Sequence, residues 1–374
     1  MFGETAGVRN DRLGALIAER DLAGVVANSY EALCYFAGTD LRSQLLLPER
    51  LAFLLVPRGG QPELLVCNIE ESQVRDQSWV EAVASYIEFE HDPNRELARR
   101  LAEIGLSRGR LGIEANRLPV STLRILAEEL PGLELVALDR ELAELQTVKS
   151  EPEVARLGEL ARGLLAGLDT TIARIGGAGS EAEYASELIG QVAATGATPL
   201  FLFFAGGERT VLGHPEPNRV PMPSGTIWRT DFGARLPGGI SGDVARTGVV
   251  GEASAEQREI FAAVRSAQDA IVASAEPGRP ASDLFFAAKR EFERNRLPFL
   301  MPHVGHGIGV GLHEAPLLEP RNDSPLLPGT VMMIEPFAVL RDRGEGYHTE
   351  DMIMVTADGP RRLTEPQDEL LVLA

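Results

Sequence analysis

The chain has 374 residues, 44% of them apolar and 24% charged, and a net charge of −19. That length suits two domains with separate cores, and so acidic a balance excludes a nucleic-acid surface, which needs clustered basic residues. Two cysteines, Cys34 and Cys67, are too few for a disulfide framework or a zinc knuckle. No apolar run reaches the ~18 residues of a membrane-spanning helix. Met1-Phe2-Gly3-Glu4-Thr5 lacks the basic and apolar regions of a signal peptide. A cytoplasmic protein without membrane or nucleic-acid partners is expected.

The first part of the chain alternates helical and strand-like runs. Arg12 to Arg20 has helical periodicity, and Ala23 to Ala27 reads as a short buried strand. Leu51 to Val56 and Glu63 to Val66 read as strands around the Arg58-Gly59-Gly60 turn. A helix over Ser121 to Glu129 and a strand over Leu133 to Leu138 complete an α/β domain without a cluster of catalytic residue types. His91 stands alone there and reads as a surface histidine. A boundary falls at Leu145 to Lys149, giving an N-terminal domain of residues 1–145 and a C-terminal domain of residues 146–374.

Beyond the boundary a pattern occurs twice. Ser150-Glu151-Pro152-Glu153 is a capping box with proline in the first turn, and Ser180-Glu181-Ala182-Glu183 opens a second helix. Two carboxylate-bearing strands follow, Thr226 to Gly233 and Ser241 to Gly251, joined at Leu236-Pro237-Gly238-Gly239. Ser254-Ala255-Glu256-Gln257 then opens another helix, Ser282 to Asn295 forms its partner, and Val331 to Pro336 and Tyr347 to Val355 form a second hairpin. Two helices and a hairpin, repeated, predict an internal pseudo-twofold.

The hairpins bring acids together. Pro237 is midway between Asp231 and Asp243, so closure there sets the two carboxylates opposite each other, about 5 Å apart at Cα. The second hairpin does the same for Glu335 and Glu350. Strand alternation puts His348, Glu350 and Met352 on one face and Asp351 on the other, which nominates Glu350 over Asp351. Taken singly, each acid is more often a turn or surface charge. Together with His306 they form a set of four carboxylates and one imidazole, which a folded interior holds only around cations. Two divalent ions balance the four negative charges.

The stretch from Gly305 to Glu314 holds four glycines, with His306 and His313 seven residues apart. Glycines let the backbone approach a crowded centre. A phosphate cradle is the competing reading, but no strand-to-helix context with a ribose-binding acid accompanies it.

Asp231-Phe232-Gly233-Ala234, Ser241-Gly242-Asp243-Val244-Ala245-Arg246-Thr247, Gly305-His306-Gly307-Ile308-Gly309 with His313-Glu314, Ile334-Glu335-Pro336 and Glu350-Asp351 resemble the pita-bread metallopeptidases. That family includes methionine aminopeptidase, aminopeptidase P, prolidase and the metal-free creatinases. The resemblance spans nearly the whole chain, and residues 1–145 look like the creatinase-type domain of the proline-specific branch. It implies an α+β architecture in which a C-terminal pita-bread domain packs helices on an antiparallel sheet. It also implies that Asp231, Asp243, His306, Glu335 and Glu350 hold two divalent ions, with Asp243 and Glu350 bridging and a hydroxide between the metals as nucleophile. Glu335 would move the proton, His313 would stabilise the oxyanion, and His214 would hold the substrate. An oxygen-rich site with one imidazole favours manganese, with cobalt or zinc as alternatives.

Three departures from the family pattern stand out. The segment between Asp231 and Asp243 is one residue longer than usual, Ile240 stands where tyrosine is common, and His348 where proline-specific members carry arginine. Arginine makes a bidentate pair with a carboxylate that histidine cannot. His303 and His348 join His214 and His313 as substrate-binding candidates.

The resemblance implies a metallo-exopeptidase, Xaa-Pro aminopeptidase or Xaa-Pro dipeptidase, acting on short peptides with proline second, as a homodimer or higher homo-oligomer. The alternative is a hydrolase or lyase of a small non-peptide molecule such as ectoine or a sulfonium compound. A non-catalytic binding module is a third class, disfavoured because such relatives usually lose the ligands that this chain keeps.

Overall fold

The computed structural model describes residues 3–47 and 49–374. Met1 and Phe2, part of the stretch read above for a signal peptide, lie outside the described residues. The chain divides into two units, Met1–Gln146 and Thr147–Ala374.

The first unit is built on six strands: Gly24–Ala27 (β1), Phe53–Pro57 (β2), Glu63–Cys67 (β3), Ala82–Tyr86 (β4), Arg108–Ile113 (β5) and Gly132–Ala137 (β6). They form one mixed sheet in the order β4-β3-β2-β1-β5-β6. β1–β2 and β2–β3 are antiparallel and the other pairs parallel. Val26, Phe53, Leu65 and Leu111 pack against helical Leu97, Leu101 and Ile125. Covered strands need near-continuous apolar runs, which is how Leu51 to Val56 reads.

In the second unit the predicted capping boxes open the Glu151–Ile175, Glu181–Ala194 and Ala255–Ser274 helices, and an Ala281–Arg294 helix follows. A strand the sequence reading did not assign, Thr198–Gly206 (β7), pairs with Ile227–Arg235 (β8), which pairs with Ser241–Val250 (β9). On β8 and β9, Phe232 and Val244 pack on Leu157, Leu160 and Leu164 of the first helix. Asp231 and Asp243 therefore point to the opposite face.

The first hairpin corrects the expected register. Asp231 lies opposite Ala245, and Asp243 opposite Gly233. The turn is centred on Gly238, one residue beyond Pro237. Gly238 and Gly239 adopt φ of 87° and 90°, and Leu236 N–H donates to the Ile240 carbonyl at 2.8 Å. That left-handed pair suits glycine, and the result makes the two acids diagonal neighbours on one face.

In the other half, Gly305–Gly307 (β10), Glu314–Leu317 (β11), Val331–Ile334 (β12), Phe337–Leu340 (β13), Glu345–His348 (β14), Asp351–Thr356 (β15) and Gly359–Arg362 (β16) follow the helices. The order β11-β10-β12-β15-β16 makes the second sheet. A last strand, Leu371–Leu373 (β17), runs parallel to β9. Ile334 faces Asp351 and Phe337 faces His348. One register thus runs through both ladders and sets Glu335 opposite Glu350. The ladder breaks there because both backbones are engaged elsewhere. Glu335 N–H donates to the Val304 carbonyl and Glu350 N–H to the Ala245 carbonyl, each at 3.0 Å.

That second bond joins the two halves, and Arg246 secures it. Its Nη1 donates to the carbonyls of Ala245 and Glu350, and its Nη2 to Asp351 Oδ1 at 2.8 Å. Both partners are buried. Arg246→Met should cost about 3–5 kcal/mol by stranding a buried carboxylate. Arg246→Met with Asp351→Leu should cost less than Arg246→Met alone. Denaturant unfolding of the two variants measures the difference; equal losses would show that the ion pair is not what the fold loses.

Candidate metal centre

β8 presents Asp231, β9 Asp243 and β10 His306, while Glu335 and Glu350 come from the breaks beside β12 and β15. His306 Nε2 lies 3.9 Å from Asp243 Oδ2, 3.6 Å from Glu335 Oε1 and 3.7 Å from Glu350 Oε1. Among the described residues, the ligand-type atoms of Asp243, His306 and Glu350 form a buried group within 4.8 Å of one another. His306 Nδ1 is 3.0 Å from the Gly307 carbonyl. A carbonyl only accepts, so Nδ1 carries the hydrogen and Nε2 turns a bare lone pair inward. Glycine is needed on β10. A Cβ at Gly305 would lie 2.2 Å from the Met333 carbonyl oxygen, and one at Gly307 equally close to that of Ala315.

Asp243 Oδ1, Glu335 Oε1 and Glu350 Oε1 are buried without a hydrogen-bond partner. Such oxygens are costly unless a cation or a proton satisfies them. Burial and the neighbouring Glu350 push Asp243 well above the usual carboxylate range, and burial and the neighbouring Glu335 do the same to Glu350. Burial also raises Asp231. Glu335 goes the other way. Burial would raise it, but His303 Nδ1 at 3.3 Å and His348 Nε2 at 3.7 Å hold it well below the usual range. Bare, unpaired carboxylate oxygens around one imidazole lone pair fit hard divalent cations.

The remaining histidines surround this group. His313 stacks on His306, with centroids 3.8 Å apart, and meets His303 edge-on at 5.9 Å. His313 keeps an edge in solvent, but partial burial of its ring and the neighbouring His306 push it down to about 4. His214 is exposed, and its ring lies 4.8 Å from that of Phe203, which is directly opposite Asp231 in the β7–β8 register. His348 is buried between acids, with Nδ1 3.8 Å from Asp231 Oδ2. Asp351 faces away, onto Arg246 and the Thr364 hydroxyl.

Sequence reasoning passed over several neighbours. Lys149 Nζ and Glu314 Oε2 form a buried pair at 2.6 Å, and Glu314 also accepts from Gly311 N–H at 2.8 Å, shaping the loop that bears His313. Arg229 and Glu181 shape the loop that bears His214. Arg229 had a visible signal, a charge inside the apolar run Ile227-Trp228-Arg229-Thr230; Glu181 had none beyond its place in a capping box.

Residues 156–357 match the profile of metallopeptidase family M24, and residues 9–148 that of the creatinase/prolidase N-terminal domain. The chain is 30% identical to an Xaa-Pro dipeptidase of Pyrococcus horikoshii over 264 residues, 70% of this chain and 74% of that one. A solved dipeptidase structure from the same organism superposes with a TM-score of 0.85 at 26% identity, covering 98% of this chain and 100% of that one. Dipeptidase PepE from Mycobacterium ulcerans shares the fold, with a TM-score of 0.87 at 24% identity over 99% and 98% of the two chains.

The electrostatics predict how pH affects the metal-depleted protein. Asp243 and Glu350 hold protons more tightly folded than unfolded, so above the unfolded carboxylate range, about pH 4, the folded state binds more protons. Stability should therefore fall as pH rises from there through their raised folded values. Glu335 is ionised in both states across that window and adds no slope. Mn2+ bound by these carboxylates would replace those protons, so its gain in Tm should be small near about pH 5 and grow toward about pH 8. Thermal unfolding with Mn2+ and with chelator gives the comparison; a gain that ignores pH would count against these carboxylates as its ligands.

Proposed function

The chain belongs to metallopeptidase family M24, and we propose that within it the protein hydrolyses the bond between an N-terminal residue and a following proline in short peptides. One observation carries this reading: the buried, unpartnered carboxylate oxygens gathered around His306 Nε2. The likeness to an Xaa-Pro dipeptidase supports the choice of substrate. Asp231, Asp243, His306, Glu335 and Glu350 would hold two divalent ions, manganese ahead of cobalt or zinc, with Asp243 and Glu350 shared. We expect action in the cytoplasm as a homodimer or higher homo-oligomer.

When bound, such ions polarise the scissile carbonyl and make a water acidic enough to attack at neutral pH. The other tasks fall to side chains. Glu335, kept ionised by His303 and His348, is in the state that accepts the water's proton and can return it to the leaving nitrogen. His313 is neutral near pH 7, so it can give a hydrogen bond to the oxyanion without delivering a full charge. His214 on the Asp231 side and His303 on the His306 side are the candidates for holding the substrate.

A second reading, hydrolysis or lysis of a small non-peptide substrate, is favoured by His348. Buried between Asp231 and Glu335, it offers a substrate carboxylate no bidentate partner.

The test is proline release from Ala-Pro and alanine release from Ala-Pro-Ala by metal-depleted protein reloaded with Mn2+. Turnover of the dipeptide alone makes it a dipeptidase, and turnover of the tripeptide an aminopeptidase. Silence on both, with two ions bound per chain, would reject the proline reading in favour of small cyclic amides and amidines. In the active case, Glu335→Gln and His313→Ala should each lower kcat about 100-fold or more.

A further inference from the structure

His214 sits on a segment, residues 207–218, whose one regular element is the short turn Gly207–Val211. An exposed histidine on such a segment can bind substrate in a fixed pose only if the backbone beneath it is held. Two buried charges do this. Arg229, 1% exposed, donates from Nε to the Thr210 carbonyl at 2.9 Å and from Nη2 to the carbonyls of Leu212 and of Gly213, the latter at 2.8 Å. Gly213 immediately precedes His214. The guanidinium lies over the Phe337 ring, 4.5 Å from its centroid, which fixes its plane.

The opposite charge grips the two ends. Glu181, 2% exposed, accepts from Gly206 N–H and Asn218 N–H, each at 2.9 Å, and pairs with Arg209 Nε at 3.2 Å. Carbonyls run onto a cation and amides onto an anion, so the segment is held at both poles of its backbone. Burying either charge costs several kcal/mol, and an apolar residue would fill the space of Arg229 more cheaply. Arg229 is also two residues before Asp231 on β8, hence on the same face. One strand thus sets the spacing between the metal centre and the histidine.

We propose that Arg229 and Glu181 are positioning residues that act through His214, fixing its imidazole relative to Asp231. This rests on the reading of His214 as a substrate-binding group. A merely structural role would lower stability and leave the remaining catalysis additive.

The experiment is a double-mutant cycle on the Mn2+-loaded full chain, with Arg229→Lys, Glu181→Gln and His214→Ala singly and in pairs. Lysine keeps the charge but cannot span three carbonyls with a planar fork. Arg229→Lys should lower kcat/KM on Ala-Pro about 100-fold with bound metal unchanged, yet cost under about threefold in the His214→Ala background. Independent, multiplicative losses would overturn the proposal. If Arg229→Lys does not unfold cooperatively, Glu181→Gln decides by the same criterion.

A second readout needs no turnover. The chain has six histidines, so the ring-labelled protein gives a tractable NMR spectrum. His214 should show one sharp signal in the parent and a broadened or split one in either variant, with the His306 and His313 signals unmoved. An unaltered His214 signal would refute positioning. Should the parent prove inactive on Xaa-Pro peptides, the substrate reading fails by itself while the spectra still decide the clamp.

Discussion

The two halves share one centre through backbone bonds that join them beside the ligands, first among them the hydrogen bond from Glu350 N–H to the Ala245 carbonyl, with Ser241 N–H donating to the Gly309 carbonyl. Each half supplies a sheet covered by its own pair of helices, and neither sheet alone gathers enough ligand-type groups. The join sets the chain reversal that bears Glu335 and Glu350 against the strand that bears Asp243. Like charges resist such an approach, at about 1 kcal/mol per pair at 4 Å in water and several times more where water is scarce. Arg246 eases it from outside by taking the charge of Asp351, next in sequence to Glu350, out of the balance.

The carboxylates are sorted by surroundings rather than by type. Burial, with Glu350 beside Asp243 and Glu335 beside Glu350, drives Asp243 and Glu350 toward the protonated form, whereas Glu335 lies between two imidazoles and stays ionised. Environments that push neighbouring acids apart in this way separate the groups that bind from the group that moves a proton. The stacked His306 and His313 divide similarly. His306 has its hydrogen committed to the Gly307 carbonyl, while His313 keeps an edge in solvent.

Much of this was legible in the sequence because it rests on local chemistry. Ser150, Ser180 and Ser254 announce helix starts through side chain–backbone hydrogen bonds confined to four residues. Period-two alternation alone separates Glu350 from Asp351. The register of the first hairpin was less legible, since it depends on where two left-handed glycines put the centre of a five-residue loop, and a midpoint rule misses by one. β7 is hard to read because Pro199 interrupts its start and the register shifts between Pro199 and Phe201, so the run shows no clean alternation. The grip of Arg229 and Glu181 on residues 207–218 was out of reach, because it joins a helix start, a strand and a loop through main-chain atoms that carry no sequence signature.

The composite origin of the centre has a mechanical meaning. Asp243 and Glu350 stand roughly a hundred residues apart in sequence, yet their oxygens fall within the span of one ion. A cation held by both would be a reversible cross-link closing a long loop. It would remove conformations from the unfolded chain as a disulfide does, by roughly 4–5 kcal/mol for a loop of that length. Unlike a disulfide it tolerates a reducing environment, and its strength follows the free-ion concentration. Metal supply would then govern the lifetime of the folded chain as well as its chemistry.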